Sequence, residues 1–232
     1  MGIIKTKGIV LLESKMSDYD KMITILTPSG KIGCAAKGAR RPKSALMAAT
    51  QLFCFGDYVI FKGNSSYNIN SCDTIEIFYN LRNDLDKLYC AVEICKIVDE
   101  VTYENQNTYK ILQLLLNTLY VISETDKNLE LITSVFKMRL LCLLGFMPQI
   151  KMCIQCGENS NISYFSIKDD GFKCNECGRV DKSSINICAT VVDAIRYVCF
   201  APSKKIFSFD LSEDKLKEFS IVVNIYFDEK IK

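Results

Sequence analysis

The chain has 232 residues, a formal net charge of +2 and no histidine at all. Without histidine, Ser-His-Asp and Cys-His nucleophilic sites, imidazole general bases and His-containing metal sites are excluded. Apolar residues make up 49% and charged residues 24%, the balance of a folded globular protein, which excludes wholesale disorder.

No stretch approaches the roughly 18 uninterrupted apolar residues of a membrane helix, and residues 1–15 lack the long apolar run of a secretory leader. A cytoplasmic protein with no membrane partner is therefore expected. There is no tryptophan, so stacking on a planar ligand rests on Tyr, Phe or Arg side chains.

Residues 1–80 read as about five strands: GIVLLES, KMITILTP, KIGCAAKG, FGDYVIFKG and YNINSCDTIEIF are short, rich in Ile, Val, Tyr and Phe, and separated by turn residues. Thr27, Pro28, Ser29 and Gly30 suit a tight turn, and residues 62–66 a second connection. A five-stranded unit with a longer connection at 40–50 suits an OB-type β-barrel; a sandwich or an SH3-like barrel fits the same pattern. From Leu81 the period changes to about 3.6, with Leu81, Leu85, Leu88, Val92, Cys95 and Val98 on one face of a helix near 81–103. Ile111, Leu115, Leu119 and Ile122 mark a second helix. Ile132, Phe136, Leu140 and Leu144 mark a third, closed by Gly145 with Pro148 beyond. After a Cys-containing insert, an apolar helical run spans 185–200. A last helix, 211–231, opens with Ser212 as N-cap and Glu213 and Asp214 in its first turn. The fold class expected is α+β and multidomain: a five-stranded barrel followed by an α-helical domain that carries a four-cysteine insert.

Twelve cysteines in a chain expected to be cytoplasmic point to a metal site plus buried thiols rather than to disulfides. Cys34, Cys54, Cys72, Cys90, Cys95, Cys142, Cys188 and Cys199 are scattered among apolar neighbours and read as core. The other four form two CxxCG knuckles, Cys153-Ile-Gln-Cys156-Gly157 and Cys174-Asn-Glu-Cys177-Gly178, separated by 17 residues. Two thiolates three apart bite one ion from a tight turn, and two such turns complete a tetrahedron. One structural Zn2+ per chain is expected, with iron the chemical alternative. The segment between the knuckles holds few apolar groups, so the ion is expected to supply its folding free energy.

From Lys21 to Gly56 there are six basic residues and no Asp or Glu. Lys31, Lys37, Arg40, Arg41 and Lys43 form a local positive patch that suits the phosphates of a nucleic acid, because Arg forks and Lys ammoniums fit phosphate oxygens and the Gly38 and Pro42 context suits a loop; a merely solvated basic loop fits the charge alone equally well.

The phrases Lys7-Gly-Ile-Val-Leu, Leu26-Thr-Pro-Ser-Gly and Ala36-Lys-Gly-Ala-Arg-Arg-Pro-Lys-Ser44 resemble the bacterial RecO family of recombination mediators. So do residues 58–63, Leu81-Arg-Asn-Asp-Leu, residues 136–144 with Gly145 and Pro148, and the first knuckle. The resemblance implies an OB-fold DNA-binding domain at 1–80 and a helical domain at 81–232 with a zinc-binding insert at about 149–184. It implies a non-enzymatic, nucleoid-associated protein of DNA repair and recombination. Such a protein binds single- and double-stranded DNA, anneals strands and, with RecR, helps RecA load onto DNA coated by single-strand-binding protein. It also implies that the helical domain receives the acidic C-terminal tail of single-strand-binding protein, for which Arg139, Arg196, Lys204 and Lys205 are candidates by charge. Two other classes fit parts of the sequence: a zinc-ribbon transcription or translation factor, and an electron-transfer protein with a four-sulfur iron site. Against the ribbon, residues 151–182 hold five basic and five acidic side chains.

Overall fold

The computed structural model describes residues 2–64 and 66–231, which form two compact units, 1–125 and 126–232. Ser65, part of the expected 62–66 connection, lies outside the described residues.

In the first unit, strands β1 (Gly2–Lys15), β2 (Lys21–Thr27), β3 (Gly30–Ala36), β4 (Phe55–Lys62) and β5 (Tyr67–Glu76) pair in the order β1-β2-β3-β5-β4. β4 pairs back onto β1, so the ladder closes into a barrel; only β3 and β5 run parallel. The period of two sends Ile23 and Ile25, Cys34 and Ala36, and Tyr58 and Ile60 into one core with Val10, Cys54 and Ile69. A register shift between Val10 and Leu12 breaks the alternation, and Val10 and Leu11 are both fully buried.

A short helix that the strand pattern did not suggest, α1 (Leu46–Ala49), follows the basic loop. The Tyr58 hydroxyl donates to the Ala49 carbonyl at 2.8 Å and ties α1 to the barrel. The helix expected near 81–103 starts later, because a 3-10 turn at Tyr79–Asn83 precedes α2 (Leu85–Val101). Asp84 caps α2 by accepting from the Asp86 and Lys87 amides. α2 buries Ala91, Ile94, Cys95, Val98 and Val101, while Leu85, its first residue, is 82% exposed and Leu81 is buried in the preceding 3-10 turn. α3 (Tyr109–Glu124) buries Ile111, Leu115, Leu119 and Ile122, as the periodicity required.

Both helices belong to the barrel's unit, which therefore runs past the expected boundary at residue 80. Hydrogen bonds account for this. Thr108 Oγ1 donates to the Thr27 carbonyl at 2.5 Å and accepts from the Gly30 amide at 3.0 Å. Gly30 has φ +114°, and a Cβ there would lie 2.5 Å from the Tyr103 carbonyl oxygen, so only glycine permits this approach of the β2–β3 turn to the α2–α3 loop.

The second unit holds α4 (Leu129–Leu144), capped by Asn128, then β6 (Ile162–Ser166), β7 (Gly171–Cys174), α5 (Asn175–Val180), β8 (Ser184–Asn186), α6 (Ala189–Phe200) and α7 (Glu213–Ile231). The insert is thus a three-stranded sheet, β7-β6-β8, plus a short helix. Ile185 belongs to β8, and the helical run expected from 185 starts at Ala189.

Candidate nucleic-acid interface and metal centre

β3 ends at Ala36, opposite Lys21, and hands the chain to the turn that carries the basic residues. Ala39 is fully buried and anchors that turn, while Lys37, Arg40, Arg41 and Lys43 stand exposed around it. The β1–β2 loop holds the turn in place. Asp20 Oδ1 accepts from the Gly38 amide at 2.7 Å, and the Arg40 amide donates to the Tyr19 carbonyl at 2.9 Å. The Arg40 guanidinium donates to the Ser17 carbonyl at 3.2 Å, and the Arg41 guanidinium lies over the Tyr19 ring, 5.2 Å from its centroid. The Gly38 amide and then the Ser17 hydroxyl hold the Asp20 carboxyl below its ordinary value, with Arg41 and Lys37 adding to the effect.

Lys31 stands apart from these four. Its ammonium donates to the Asp99 carbonyl at 2.6 Å and to the Asp99 carboxylate at 3.1 Å, so its charge is already partnered inside the unit.

The two knuckles converge. The Sγ atoms of Cys153, Cys156, Cys174 and Cys177 all lie within 4.8 Å of one another, and Cys156 Sγ and Cys174 Sγ are 3.7 Å apart. A tetrahedral ion with metal–sulfur bonds of about 2.3 Å requires sulfur–sulfur edges of about 3.8 Å, so the donor set fits a thiolate-bound metal. Four thiols this close cannot all ionise without a cation. Burial opposes ionisation of Cys153, but the Cys174, Cys156 and Gln155 amides outweigh it and bring the thiol to about 6. The hydrogen bond with Cys174, followed by burial, pushes Cys177 up to about 12.

The glycines that follow the knuckles do different work. Gly157 has φ +77° and donates to the Cys153 carbonyl at 2.9 Å, closing the first turn. Gly178 sits on α5, where a Cβ would lie 2.2 Å from the Tyr164 ring. It is there for ring packing, not for backbone freedom.

The insert also has more core than its composition suggested. Phe165 and Phe172 are fully buried and meet edge to face at 5.9 Å, and Phe165 packs on Tyr226 of α7 at 5.1 Å. The buried Lys173 ammonium lies 2.6 Å from Asp169 and 2.7 Å from Asp181. Arg196 and Arg139 are structural as well. Arg196 stacks on Phe172 at 5.5 Å and donates to the Ile150 carbonyl, and Arg139 donates to the Val198 and Cys199 carbonyls. Lys204 and Lys205 are exposed on a 3-10 turn.

The family model for the recombination protein O N terminal matches residues 1–78, and that for its C terminal matches residues 82–232. The chain belongs to the RecO family. It is 42% identical to the DNA repair protein RecO of Acetivibrio thermocellus over 234 residues, covering 100% of this chain and 93% of that protein. It is 39% identical to the DNA repair protein RecO of Alkaliphilus metalliredigens over 84% of this chain and 80% of the relative. It is 30% identical to that of a Thermoanaerobacter species over 100% and 94%.

As a RecO family member the chain has a role in DNA repair and recombination, and it is not an enzyme. Its four-cysteine group is able to hold a metal ion. Among the described residues no helix is long and apolar enough to cross a membrane. The sequence reading missed Asp20 and Tyr19 at the basic loop. Both precede the acid-free stretch that begins at Lys21, and only the β1–β2 turn brings them to it.

Proposed function

We propose that this protein is a recombination mediator that grips DNA phosphates with the turn carrying Lys37, Arg40, Arg41 and Lys43 on an OB-type barrel. The order and closure of the strands, with a parallel β3–β5 pair and the turn beside the β1–β2 loop, suit the OB class, which commonly binds oligonucleotides. The observation that carries the reading is the pinned loop: four exposed cations held to one shape by Asp20 and the Tyr19 carbonyl. Such a surface neutralises phosphates without reading bases, which suits annealing of any sequence. Lys31 contributes to the fold through Asp99 rather than to phosphate.

The metal we assign to the quartet is zinc, one per chain. Four protein thiolates leave it no open position, so its chemistry is structural: it fixes the α5 and β7 ends of the insert. The partners we assign are single- and double-stranded DNA, RecR and the acidic tail of single-strand-binding protein, with RecA reached indirectly. Of the four cations considered for the tail, Lys204 and Lys205 stand exposed, whereas Arg139 and Arg196 are partly buried and bonded to backbone carbonyls.

The test is a strand-annealing assay with complementary oligonucleotides, bare and coated with single-strand-binding protein. The protein should accelerate annealing of both. No acceleration of either by metal-replete protein would refute the reading.

A further inference from the structure

The chain exposes several tyrosines, and Tyr19, at 53%, is one of them. Among the described residues it is the only exposed tyrosine with a cation placed over its ring. Its setting differs from that of an ordinary surface aromatic in three ways. The Arg41 guanidinium lies over the ring, 5.2 Å from its centroid, and the side chain is still largely exposed. The Arg40 amide and the neighbouring Asp20–Gly38 bond fix the backbone that carries it, so little ordering remains for a ligand to impose. Finally, the β1–β2 loop that carries it abuts the turn of the cations assigned to phosphate, with the Arg40 amide bonded to the Tyr19 carbonyl and Arg41 over its ring.

A nucleotide presents a flat base beside its phosphate. A planar, preordered ring next to guanidinium groups matches both parts, and every base has a π-face, so the match needs no particular sequence. In a duplex the bases are stacked on each other and unavailable. We propose that Tyr19, backed by Arg41, is a stacking platform for one unpaired base, giving the basic loop a preference for single-stranded over double-stranded DNA. This rests on the proposed DNA-binding role of the adjoining basic turn, and adds to it an aromatic contact that depends on bases rather than on charge.

Because the chain contains no tryptophan, Tyr19→Trp creates a single indole, which can be excited at the red edge of its absorption without exciting the tyrosines. The probes are a thymidine oligonucleotide and an abasic oligonucleotide of equal length, with the same phosphates and no bases. In the full-length protein, the thymidine strand should quench Tyr19→Trp emission and the abasic strand should bind without quenching. Tyr19→Ala should weaken thymidine-strand binding about fivefold to a hundredfold, the range of one lost base–aromatic stack, with the salt slope unchanged. Tyr19→Phe should bind as wild type, because the ring rather than the hydroxyl is used.

Unquenched emission while the thymidine strand is bound, or equal losses on the two strands in Tyr19→Ala, would overturn the platform and leave phosphate binding intact. If the wild-type protein binds neither strand, the DNA-binding reading fails and the platform with it.

Discussion

Asp20 Oδ1 lies 2.7 Å from the Gly38 amide that donates to it, an acidic side chain placed against the most basic turn of the chain. Charge alone says that removing this carboxylate should strengthen DNA binding, since one repulsion of phosphate disappears. The geometry says the opposite, because Asp20 holds the turn that presents Lys37, Arg40, Arg41 and Lys43. We expect Asp20→Ala to weaken binding to a single-stranded oligonucleotide, measured by anisotropy at fixed salt. The pH dependence has a definite sign. A carboxyl whose folded pKa is lowered stabilises above its unfolded value and loses that contribution as pH falls through the lowered one. The anchor is therefore charged throughout the neutral and mildly acidic range. With no histidine in the chain and only Lys and Arg on the turn, affinity should stay flat from about pH 8 to 5.5.

Arg40 and Lys31 lie in the same basic stretch of sequence but face different partners, Ser17 and Asp99. The Arg40→Ala, Arg41→Ala double variant should lose about one to two units of the slope of log K against log salt, at roughly 0.7 per phosphate neutralised on a single strand. Lys31→Ala should leave that slope unchanged. Salt titrations of the two variants side by side decide it, and a slope change in Lys31→Ala would put Lys31 back among the phosphate contacts.

For the metal centre, elemental analysis should return one zinc per chain, and Cys174→Ser should lose it with a fall in melting temperature of more than about 5 °C. Gly178→Ala tests the ring contact separately. The added methyl meets Tyr164 at 2.2 Å, an overpacking that costs about 1–3 kcal/mol. Tyr164→Ala should cancel much of that cost in the double variant. Additive losses in a thermal double-mutant cycle would show that the two residues do not share the space.

What was legible in the sequence was whatever has a period or a spacing. Alternation of Ile23 and Ile25, or of Tyr58 and Ile60, marks an inward face, and the paired knuckles at Cys153 and Cys174 specify a chelate without any tertiary knowledge. The departures have local causes. The stripe expected from Leu81 fails at its start because Leu81 lies in the 3-10 turn Tyr79–Asn83 and the Asp84 cap begins α2 at Leu85, so the two leucines do not share one helical face. The strands of the insert are three to five residues long, too short to show alternation. The partners of Lys31, Arg139 and Arg196 could not be read, because Asp99 and the carbonyls of Val198 and Ile150 are brought to them by folding alone.

The seam between the two family models, at 78–82, is not where the first compact unit ends, and this predicts how fragments should behave. A fragment of residues 1–80 keeps all five strands but loses the partners of the β2–β3 turn: Thr108 for Gly30 and Thr27, and Asp99 for Lys31. It also loses Leu81, which is fully buried in the complete chain. A fragment of residues 1–125 keeps them all. The longer fragment should therefore unfold in one cooperative transition, and the shorter should melt at a lower temperature. In the full chain, Thr108→Val removes the hydroxyl but keeps the shape, leaving the Gly30 amide and Thr27 carbonyl without their partner. An unpaired buried group costs about 1–3 kcal/mol, so denaturant unfolding of this variant should show a loss of that order. Equal melting temperatures for the two fragments, together with no loss in Thr108→Val, would mean that the helices rest on the barrel without stabilising it.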